Sequence, residues 1–225
     1  MTTDDAAELL GVSVHEARRL ARAGDLLIVE RVGQAMLLDV ASVHRAASRS
    51  RIRGRLWEPR TAWAAVDLLN GGTAAWISYA ARYKLRTKLA TLSAEQFNAL
   101  ARRRAVALDF RASVSYLAEI QQALVPSGVA DTQRSDVDFG LAGGGERVEG
   151  YTDATGLAEV LVAFDLRADT AGNVTVHETG FTDGLSAGSS AALTALDLSD
   201  SLDVRERSAG LRVLEQLLTE MRSAR

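Results

Sequence analysis

The sequence predicts an α+β protein in which helices predominate, with a small N-terminal domain, a helical middle segment and a small α+β C-terminal domain. Apolar residues recur mostly at helical spacing, whereas β-type runs are few and short. With 225 residues, 47% of them hydrophobic and 24% charged, the chain can bury real cores. We expect domains at residues 1–48 and 57–225, joined by a basic linker or arm at residues 49–56.

Two short helices open the chain. Thr3 precedes DDAAELL, a hydroxyl cap followed by acids in the first turn, and Gly11 can end that helix with little strain. Ser13 then caps a second helix that runs to about Ala23, and Gly24 ends it. Two helices joined by a turn of about three residues that contains glycine form a helix-turn-helix.

A hairpin and a third helix follow. Residues 26–30 predict a strand, residues 31–34 a tight turn around Gly33, and residues 35–38 the returning strand. Asp39 caps a helix with the sequence VASVHRAAS. The order helix, turn, helix, two-stranded wing, helix predicts a winged helix-turn-helix.

The second helix has one apolar side and one arginine-rich side. Val14, Ala17, Leu20 and Ala21 form the apolar stripe. Arg18 or Arg19 is placed to bind guanine in bidentate fashion, and Arg22 to contact phosphate. A purely structural helix-turn-helix is the alternative. The candidate DNA-binding residues are Ser13, His15, Glu16, Arg18, Arg19, Arg22, Arg31 and Gln34, together with Arg49, Arg51, Arg53 and Arg55.

Those last four arginines belong to a basic segment after the third helix. Residues 45–55 contain five arginines and no acid, which suits an arm along a DNA backbone or in a minor groove, or else a solvated linker. Residues 1–111 hold 18 basic and 11 acidic residues, net +7, and residues 112–225 hold 8 and 18, net −10. This asymmetry is expected when one end of a chain meets a polyanion; chance clustering is the alternative.

Residues 3–46 resemble the small DNA-binding domains of the MerR and excisionase type. Their usual pattern is AAELLGVS…VRRLARAGDLPAVRVGR…FDVASV, and this chain reads AAELLGVSVHEARRLARAGDLLIVERVGQAMLLDVASV. The resemblance implies binding to double-stranded DNA through the second helix and the wing. Many relatives carry arginine after the wing glycine, where this chain has Gln34, so a phosphate contact there becomes a neutral hydrogen bond.

The middle segment predicts helices. A helix begins at Pro59, with Trp57, Trp63, Val66 and Leu69 as core residues. Another spans residues 76–89 and interleaves Tyr79 and Tyr83 with four cations. We expect it to pack its rings on the core, and stacking on nucleic acid is the alternative. Ser93 begins a capping box for a helix that reaches Arg104.

The middle segment ends in a strand and a helix, and the C-terminal part predicts a small α+β unit. Residues 105–111 predict the strand, and Ser113 or Ser115 caps the helix, which runs to about Ala123. A loop-rich tract follows, with the glycines 143–145 as a turn. Residues 147–152 and 173–179 predict strands on either side of a helix that Asp153 caps, and two helices close the chain.

Few residues carry catalytic chemistry. The chain has no cysteine, and its three histidines lie far apart in sequence, so we expect no catalytic residues, no metal site, no cofactor and no enzymatic activity. His177, in a strand, is expected to pack or to face solvent. No apolar run approaches the ~18 residues of a membrane span, and the start is acidic. These absences indicate a cytoplasmic protein with no membrane partner.

The rest of the chain resembles a group of actinobacterial proteins that look like the antitoxins of type IV, AbiE-type toxin–antitoxin pairs. The similar segments are RGRLWEPRTAWAAVDLLNGG, AARYKLRTKL, RRRAVALDFRAS, VEGYTDATGLAEVLVAFDL, NVTVHET and ALDLSDSLDVRERSAGLRVLEQLL. The resemblance implies a repressor of its own promoter that counteracts a nucleotidyltransferase-like toxin. The alternatives are a one-component, MerR-like regulator with a ligand-sensing C-terminal domain and an excisionase-like DNA-binding protein.

Overall fold

The structure is a computed structural model that describes residues 1–33, 35–48, 55–132, 137–141, 147–186, 188 and 190–223. The chain divides into two compact units, unit 1 at Met1–Arg49 and unit 2 at Ser50–Arg225. The predicted α+β class with a majority of helix is confirmed. Within the described part of the chain, no helix combines the length and the apolarity that crossing a membrane requires.

Unit 1 begins with the two predicted helices, α1 (Thr3–Leu10) and α2 (Val14–Arg22). Gly11 ends α1 in the left-handed region, at φ 59°, and its N–H bonds to Glu8 while that of Val12 bonds to Ala7. This pair of bonds is a Schellman motif, which reverses the chain within one turn. The prediction of Thr3 as the cap is wrong: Thr2 is the cap, because it forms a reciprocal capping box with Asp5.

The wing is an antiparallel hairpin of β1 (Ile28–Val32) and β2 (Ala35–Leu38). β1 starts two residues later than predicted, because Leu26 is buried in the core and the backbone N–H of Leu27 bonds to Ser42. Asp39 begins α3 (Val40–Ser48), as predicted, by accepting a hydrogen bond from the N–H of Ser42. The small core of unit 1 consists of Ala6, Ala21, Leu26, Met36, Leu38 and Val43.

Unit 2 contains the remaining elements. Its helices are α4 (Pro59–Leu69), α5 (Tyr79–Leu89), α6 (Ala94–Ala101), α7 (Leu117–Ala123), α8 (Ala154–Ala163), α9 (Thr182–Leu185), α10 (Ala191–Asp200) and α11 (Val204–Ser223). Its strands are β3 (Val106–Arg111), β4 (Val125–Pro126), β5 (Val148–Thr152), β6 (Arg167–Ala168) and β7 (Val174–Glu178). Short 3-10 helices occupy Arg102–Arg104, Val114–Tyr116 and Val129–Asp131.

The five strands form one sheet in the order β4-β5-β7-β3-β6. β5 and β7 are parallel, and α8 lies between them in sequence, as a parallel crossover requires. The other neighbours pair antiparallel. Both outer strands are two residues long; Pro126 lies in one, and Arg167 lies opposite Arg111 in the other. The predicted middle and C-terminal segments therefore share a sheet, because β3 pairs with β7.

The sheet separates two apolar cores. On one face, Val148, Val174 and Val176 pack against side chains of α7 and α8. The other face lies against the larger core, to which α4, α6, α10 and α11 contribute. Because side chains alternate along a strand, Glu149, Tyr151 and His177 share this second face.

Two predictions for unit 2 need correction. The helix predicted over residues 76–89 begins at Tyr79, after Ser78 as its cap, and its tyrosine rings face solvent instead of the core. The helix predicted to reach Arg104 ends at Ala101 and continues as the 3-10 turn. The glycines 143–145, predicted as a turn, lie outside the described residues.

Candidate nucleic-acid interface

α2 is held against unit 1 by its start and by its small residues. The Ser13 hydroxyl accepts a hydrogen bond from the backbone N–H of Glu16 at 3.1 Å, which satisfies one of the free donors of the first turn. Ala17 and Ala21 are fully or almost fully buried, while Val14 and Leu20 are half-buried. The predicted apolar stripe therefore faces inward, with its alanines closest to the core.

The opposite side of α2 faces solvent. Ser13, His15, Arg18, Arg19 and Arg22 are all exposed. Within the described part of the chain, no hydrogen bond or ion pair holds the side chain of Arg18 or Arg22. In a helix-turn-helix, the first residues of the second helix reach base edges and later residues meet the backbone. Arg18, in the middle of α2, thus has the freedom that a base contact needs.

Arg19 differs from its two neighbours because it is paired with Glu16. Its Nε and Nη2 atoms donate to the two carboxylate oxygens at 2.8 and 2.7 Å, a bidentate fork. The hydrogen bond from Arg19 lowers the pKa of Glu16, and that bond raises the pKa of Arg19 in turn. A guanine would have to displace the Glu16 carboxylate before Arg19 could bind it.

The wing contributes Arg31, which lies opposite Met36 in the hairpin and is exposed, whereas Met36 is buried. The strand register is irregular between Ile28 and Glu30, and Val29 at that point is 64% exposed. Such a bulge increases the local twist of a hairpin. Gln34, the other wing candidate, lies outside the described residues.

The arm predicted after α3 is described only at its end. Arg49, Arg51 and Arg53 lie outside the described residues. Arg55 is exposed, and its guanidinium lies 3.6 Å from the carboxylate of Glu58. Ion pairs this exposed contribute little to stability, so Arg55 stays available to a phosphate.

Charge is distributed unevenly over unit 1. Residues 1–48 contain five arginines and seven acids, a net charge of −2. α1 carries three of those acids and no cation, whereas α2 carries three arginines and one glutamate. The basic character of this unit is therefore local to α2 and the wing, and the four arginines at positions 49–55 bring residues 1–55 to net +2.

Unit 2 holds a second polar constellation, which the sequence analysis missed. Arg104, Tyr151 and Asp197 are buried between the sheet and α10 and lie far apart in sequence. Arg104 donates to the Asp197 carboxylate at 2.5 Å and to the Tyr151 hydroxyl at 2.8 Å, and Tyr151 donates to Asp197 at 2.7 Å. Asp200 lies 3.5 Å from the same guanidinium, and the Ser127 hydroxyl donates to the other oxygen of Asp197.

His177 extends this buried network to Glu149, whose side chain is partly exposed. Its ring stacks on Tyr151 at 4.5 Å between ring centroids, and its Nε2 atom lies 2.7 Å from Glu149 and 3.8 Å from Asp197. Burial disfavours the charged imidazolium, but the charge of Asp197 and the hydrogen bond to Glu149 outweigh it, so the pKa of His177 is raised. The prediction that His177 packs or faces solvent omitted this ion pair.

Burial and neighbouring charges also shift the pKa values of Tyr151 and Arg104. Burial raises the pKa of the Tyr151 phenol well above its usual value. Burial opposes the charge of Arg104, but Tyr151, Asp197 and Asp200 hold its pKa well above the usual range. Tyr151 is therefore a neutral donor and Arg104 a permanent cation within the protein.

Glu149, His177 and Asp197 bring three possible metal-ligating atoms within 4.8 Å of one another. Two ligands about 2.1 Å from a tetrahedral ion lie about 3.4 Å apart, but Glu149 Oε1 and His177 Nε2 are separated by only 2.7 Å. The Asp197 oxygen nearest His177 already accepts from Arg104 and Tyr151, and the guanidinium would repel a cation. This geometry is that of a hydrogen-bonded ion network and does not fit a metal.

One sequence signal for the network existed. In VEGYT, Glu149 and Tyr151 stand at alternate positions, which places both on one face of the strand. In VTVHE, His177 likewise alternates with the valines. Nothing in the sequence joins those residues to Arg104, 93 residues before Asp197.

Comparison with known proteins assigns the first unit. Residues 1–51 match the model of a helix-turn-helix domain family. No significant match was found among curated proteins or among solved structures. The family match covers less than a quarter of the chain, so it bears on unit 1 alone. Together with the geometry of α1, α2 and the wing, it shows that the chain carries an N-terminal helix-turn-helix domain that binds DNA.

Proposed function

We propose that the protein is a sequence-specific transcriptional repressor that binds its own promoter. One observation carries the proposal: α2 buries Ala17 and Ala21 and exposes Arg18 and Arg22 on its other side, within a helix-turn-helix domain. A helix of this kind fits the major groove, where base edges distinguish every base pair. A repressor needs this specificity, because it must find one promoter among many other sites.

Each arginine has a different part in this proposal. Arg18 reads guanine by a bidentate contact to its O6 and N7 atoms. Arg22, near the end of α2, and Arg31, on the wing, bind phosphates and set the register on the duplex. Glu16 holds Arg19 in its present rotamer, so Arg19 contributes positive charge near the backbone instead of a base contact.

The arginines at positions 49–55 add a component without sequence preference. If they and α2 together neutralise about six phosphates, affinity falls about a thousandfold between ~50 and ~200 mM salt. Removing residues 49–55 is expected to weaken binding to all duplexes and to flatten the salt dependence. An unchanged salt dependence would assign this segment to a spacer.

The resemblance of unit 2 to AbiE-type antitoxins supports a second part of the proposal. The protein is the autoregulating antitoxin of a type IV pair, unit 2 carries the antitoxic role, and the partner is a nucleotidyltransferase-like toxin. In this proposal the protein is not an enzyme and uses no cofactor. Its acidic C-terminal half, net −10 over residues 112–225, serves contacts other than those with DNA.

A mobility-shift assay on the chain's own promoter tests DNA recognition. Arg18→Ala is expected to cost about 1–3 kcal/mol on the specific site and to leave binding to unrelated duplexes almost unchanged. Arg167→Ala is the control, since Arg167 is an exposed arginine of unit 2. Equal affinity of Arg18→Ala and the unmodified protein for the specific site would refute the assignment of α2 as the reading helix.

Co-expression with the adjacent gene tests the antitoxin role. Growth arrest by the neighbour alone, and its relief by this protein, is the expected result. Relief that persists in Arg18→Ala would separate antitoxicity from repression. A neighbour that leaves growth unaffected, together with a small molecule that releases the protein from its promoter, would favour the ligand-sensing regulator instead.

A further inference from the structure

α5 of unit 2 carries two exposed tyrosines whose rings do not pack in the core. Tyr79 is 78% exposed and Tyr83 is 63% exposed, whereas the side of α5 turned to the core is made by Leu85 and Leu89. Tyrosine normally buries most of its ring, which carries a large apolar area. Two exposed rings on one helix therefore form a surface that another molecule can cover.

The two rings are neighbours. Residues four apart in a helix are about 6 Å apart along its axis and lie on the same face. Tyr79 and Tyr83 thus form a short aromatic strip along α5, at a spacing that lets adjacent flat groups each stack on one ring. We call Tyr79, Tyr83, Lys84, Arg86 and Lys88 the α5 face.

Three cations share the exposed part of α5 with this strip. At about 100° per residue, Arg86 lies beside the tyrosines, whereas Lys84 and Lys88 lie a quarter turn or more farther around the helix, and all three are exposed. Arg82 is not counted among them, because its guanidinium donates to the backbone oxygen of Thr73 at 2.8 Å. The sequence contains no acid between Asp67 and Glu95, so these charges are not balanced by a carboxylate on α5 or on the segments directly before and after it.

We infer that the α5 face binds single-stranded RNA. Aromatic rings among cations stack unpaired bases while the cations follow the phosphates. In a duplex the faces of the bases are already stacked on one another, so a flat ring finds no partner there. Unpaired bases occur chiefly in the loops and single-stranded segments of RNA. This binding surface lies in unit 2, is separate from α2, and does not depend on the proposed repressor function.

Fluorescence anisotropy with a labelled 12-nucleotide oligouridine and the full chain tests this inference. The double variant Y79A/Y83A is expected to bind at least about thirtyfold more weakly, because two rings are removed and each stacked base contributes about fivefold or more to affinity. Y79F/Y83F keeps both rings and is expected to bind like the unmodified protein. Loss in the phenylalanine variant as well would show that the hydroxyl groups, and not stacking, hold the ligand, which overturns the inference.

A charge variant gives an independent measurement. K84Q/R86Q/K88Q is expected to reduce the slope of log affinity against log salt by about 2, at about 0.7 per phosphate contact on a single strand. R167Q/R205Q, which removes two exposed arginines elsewhere in unit 2, is the control and leaves the slope unchanged. The same salt dependence in the unmodified protein, the triple variant and the control would overturn the inference.

Titration with other polyanions tests which class of ligand the α5 face binds. Oligothymidine of the same length, an unrelated 12-base-pair duplex and polyglutamate are titrated in parallel. Tighter binding of any of these than of oligouridine, with the same dependence on Tyr79 and Tyr83, would assign the α5 face to that class and overturn the RNA inference. Promoter binding is expected to stay intact in Y79A/Y83A, and Arg18→Ala to bind oligouridine normally, so failure here is distinct from failure of the repressor proposal.

Discussion

The two units treat arginine in opposite ways. In unit 1, Arg18, Arg22 and Arg31 lie in solvent beside a small core of apolar side chains. In unit 2, Arg104 is buried, with 4% of its side chain exposed, and binds Asp197, whose side chain is fully enclosed. An exposed guanidinium stays free for a partner, whereas an enclosed one is committed to the fold. Burial thus distinguishes the arginines that are available to a partner from Arg104, which connects the sheet to α10.

The sharpest test of this contrast is Arg104→Met. Methionine fills similar space but leaves the carboxylates of Asp197 and Asp200 without their cation, which is expected to cost unit 2 about 3–5 kcal/mol. Urea unfolding monitored by circular dichroism measures the loss. Arg167→Met, at an exposed pair with Asp165, is expected to change little. Similar unfolding midpoints for the two variants would remove the distinction between buried and exposed arginines.

A smaller effect is expected from pH. Because the folded-state pKa of His177 is raised above its ordinary 6.5, the protonated ring stabilises unit 2 fully below about pH 6.5, and this contribution disappears as the pH rises through the folded-state pKa. His177→Gln is expected to remove that part of the pH dependence, measured by urea unfolding from pH 5 to 9. His15→Gln, at an exposed position of unit 1, is the control; identical profiles for His177→Gln and the unmodified protein would contradict the ion pair.

Ser13→Ala tests whether unit 1 depends on its caps. Loss of the hydrogen bond to the N–H of Glu16 is expected to lower the stability of unit 1 by about 1 kcal/mol. Thermal unfolding of the full chain measures this loss of stability, and promoter binding is measured on the same variant. Ser208→Ala, on the exposed side of α11, removes a hydroxyl that caps nothing. A stable, fully DNA-binding Ser13→Ala protein would show that the turn alone positions α2.

The smallest effect is expected for Glu16→Gln. The exposed fork with Arg19 contributes little to stability, so unfolding is expected to be unchanged. Removing the carboxylate takes a negative charge from the DNA-facing side and releases Arg19, so promoter affinity is expected to rise slightly. Weaker specific binding would instead show that Glu16 itself contacts a base, such as the amino group of cytosine.

Local sequence signals predicted most of the helices and strands. The contacts between residues far apart in sequence could not be predicted. Ser13, Gly24 and Asp39 mark helix boundaries by chemistry that acts within four residues. The cap of α1 was misplaced by one residue because Thr2 and Thr3 are adjacent hydroxyl residues, and only the structure shows the capping box with Asp5.

The tyrosines and the buried network show a different difficulty. Periodicity identified α5 as amphipathic but could not say which of its large side chains face inward, and the leucines took that side. Arg104 stands in a run of three arginines that looks like surface, and only the fold brings it to Asp197. Partners separated by about 90 residues leave no mark in a single sequence.

The outer strands of the sheet bear on self-association. Strand addition by another chain needs a long, regular row of free backbone groups, and a two-residue strand that contains Pro126 cannot offer one. At the opposite side, β6 is also only two residues long and carries the exposed Arg167. Fibril growth through this sheet is thereby discouraged, and any homo-oligomer of the protein is expected to assemble through side-chain surfaces instead.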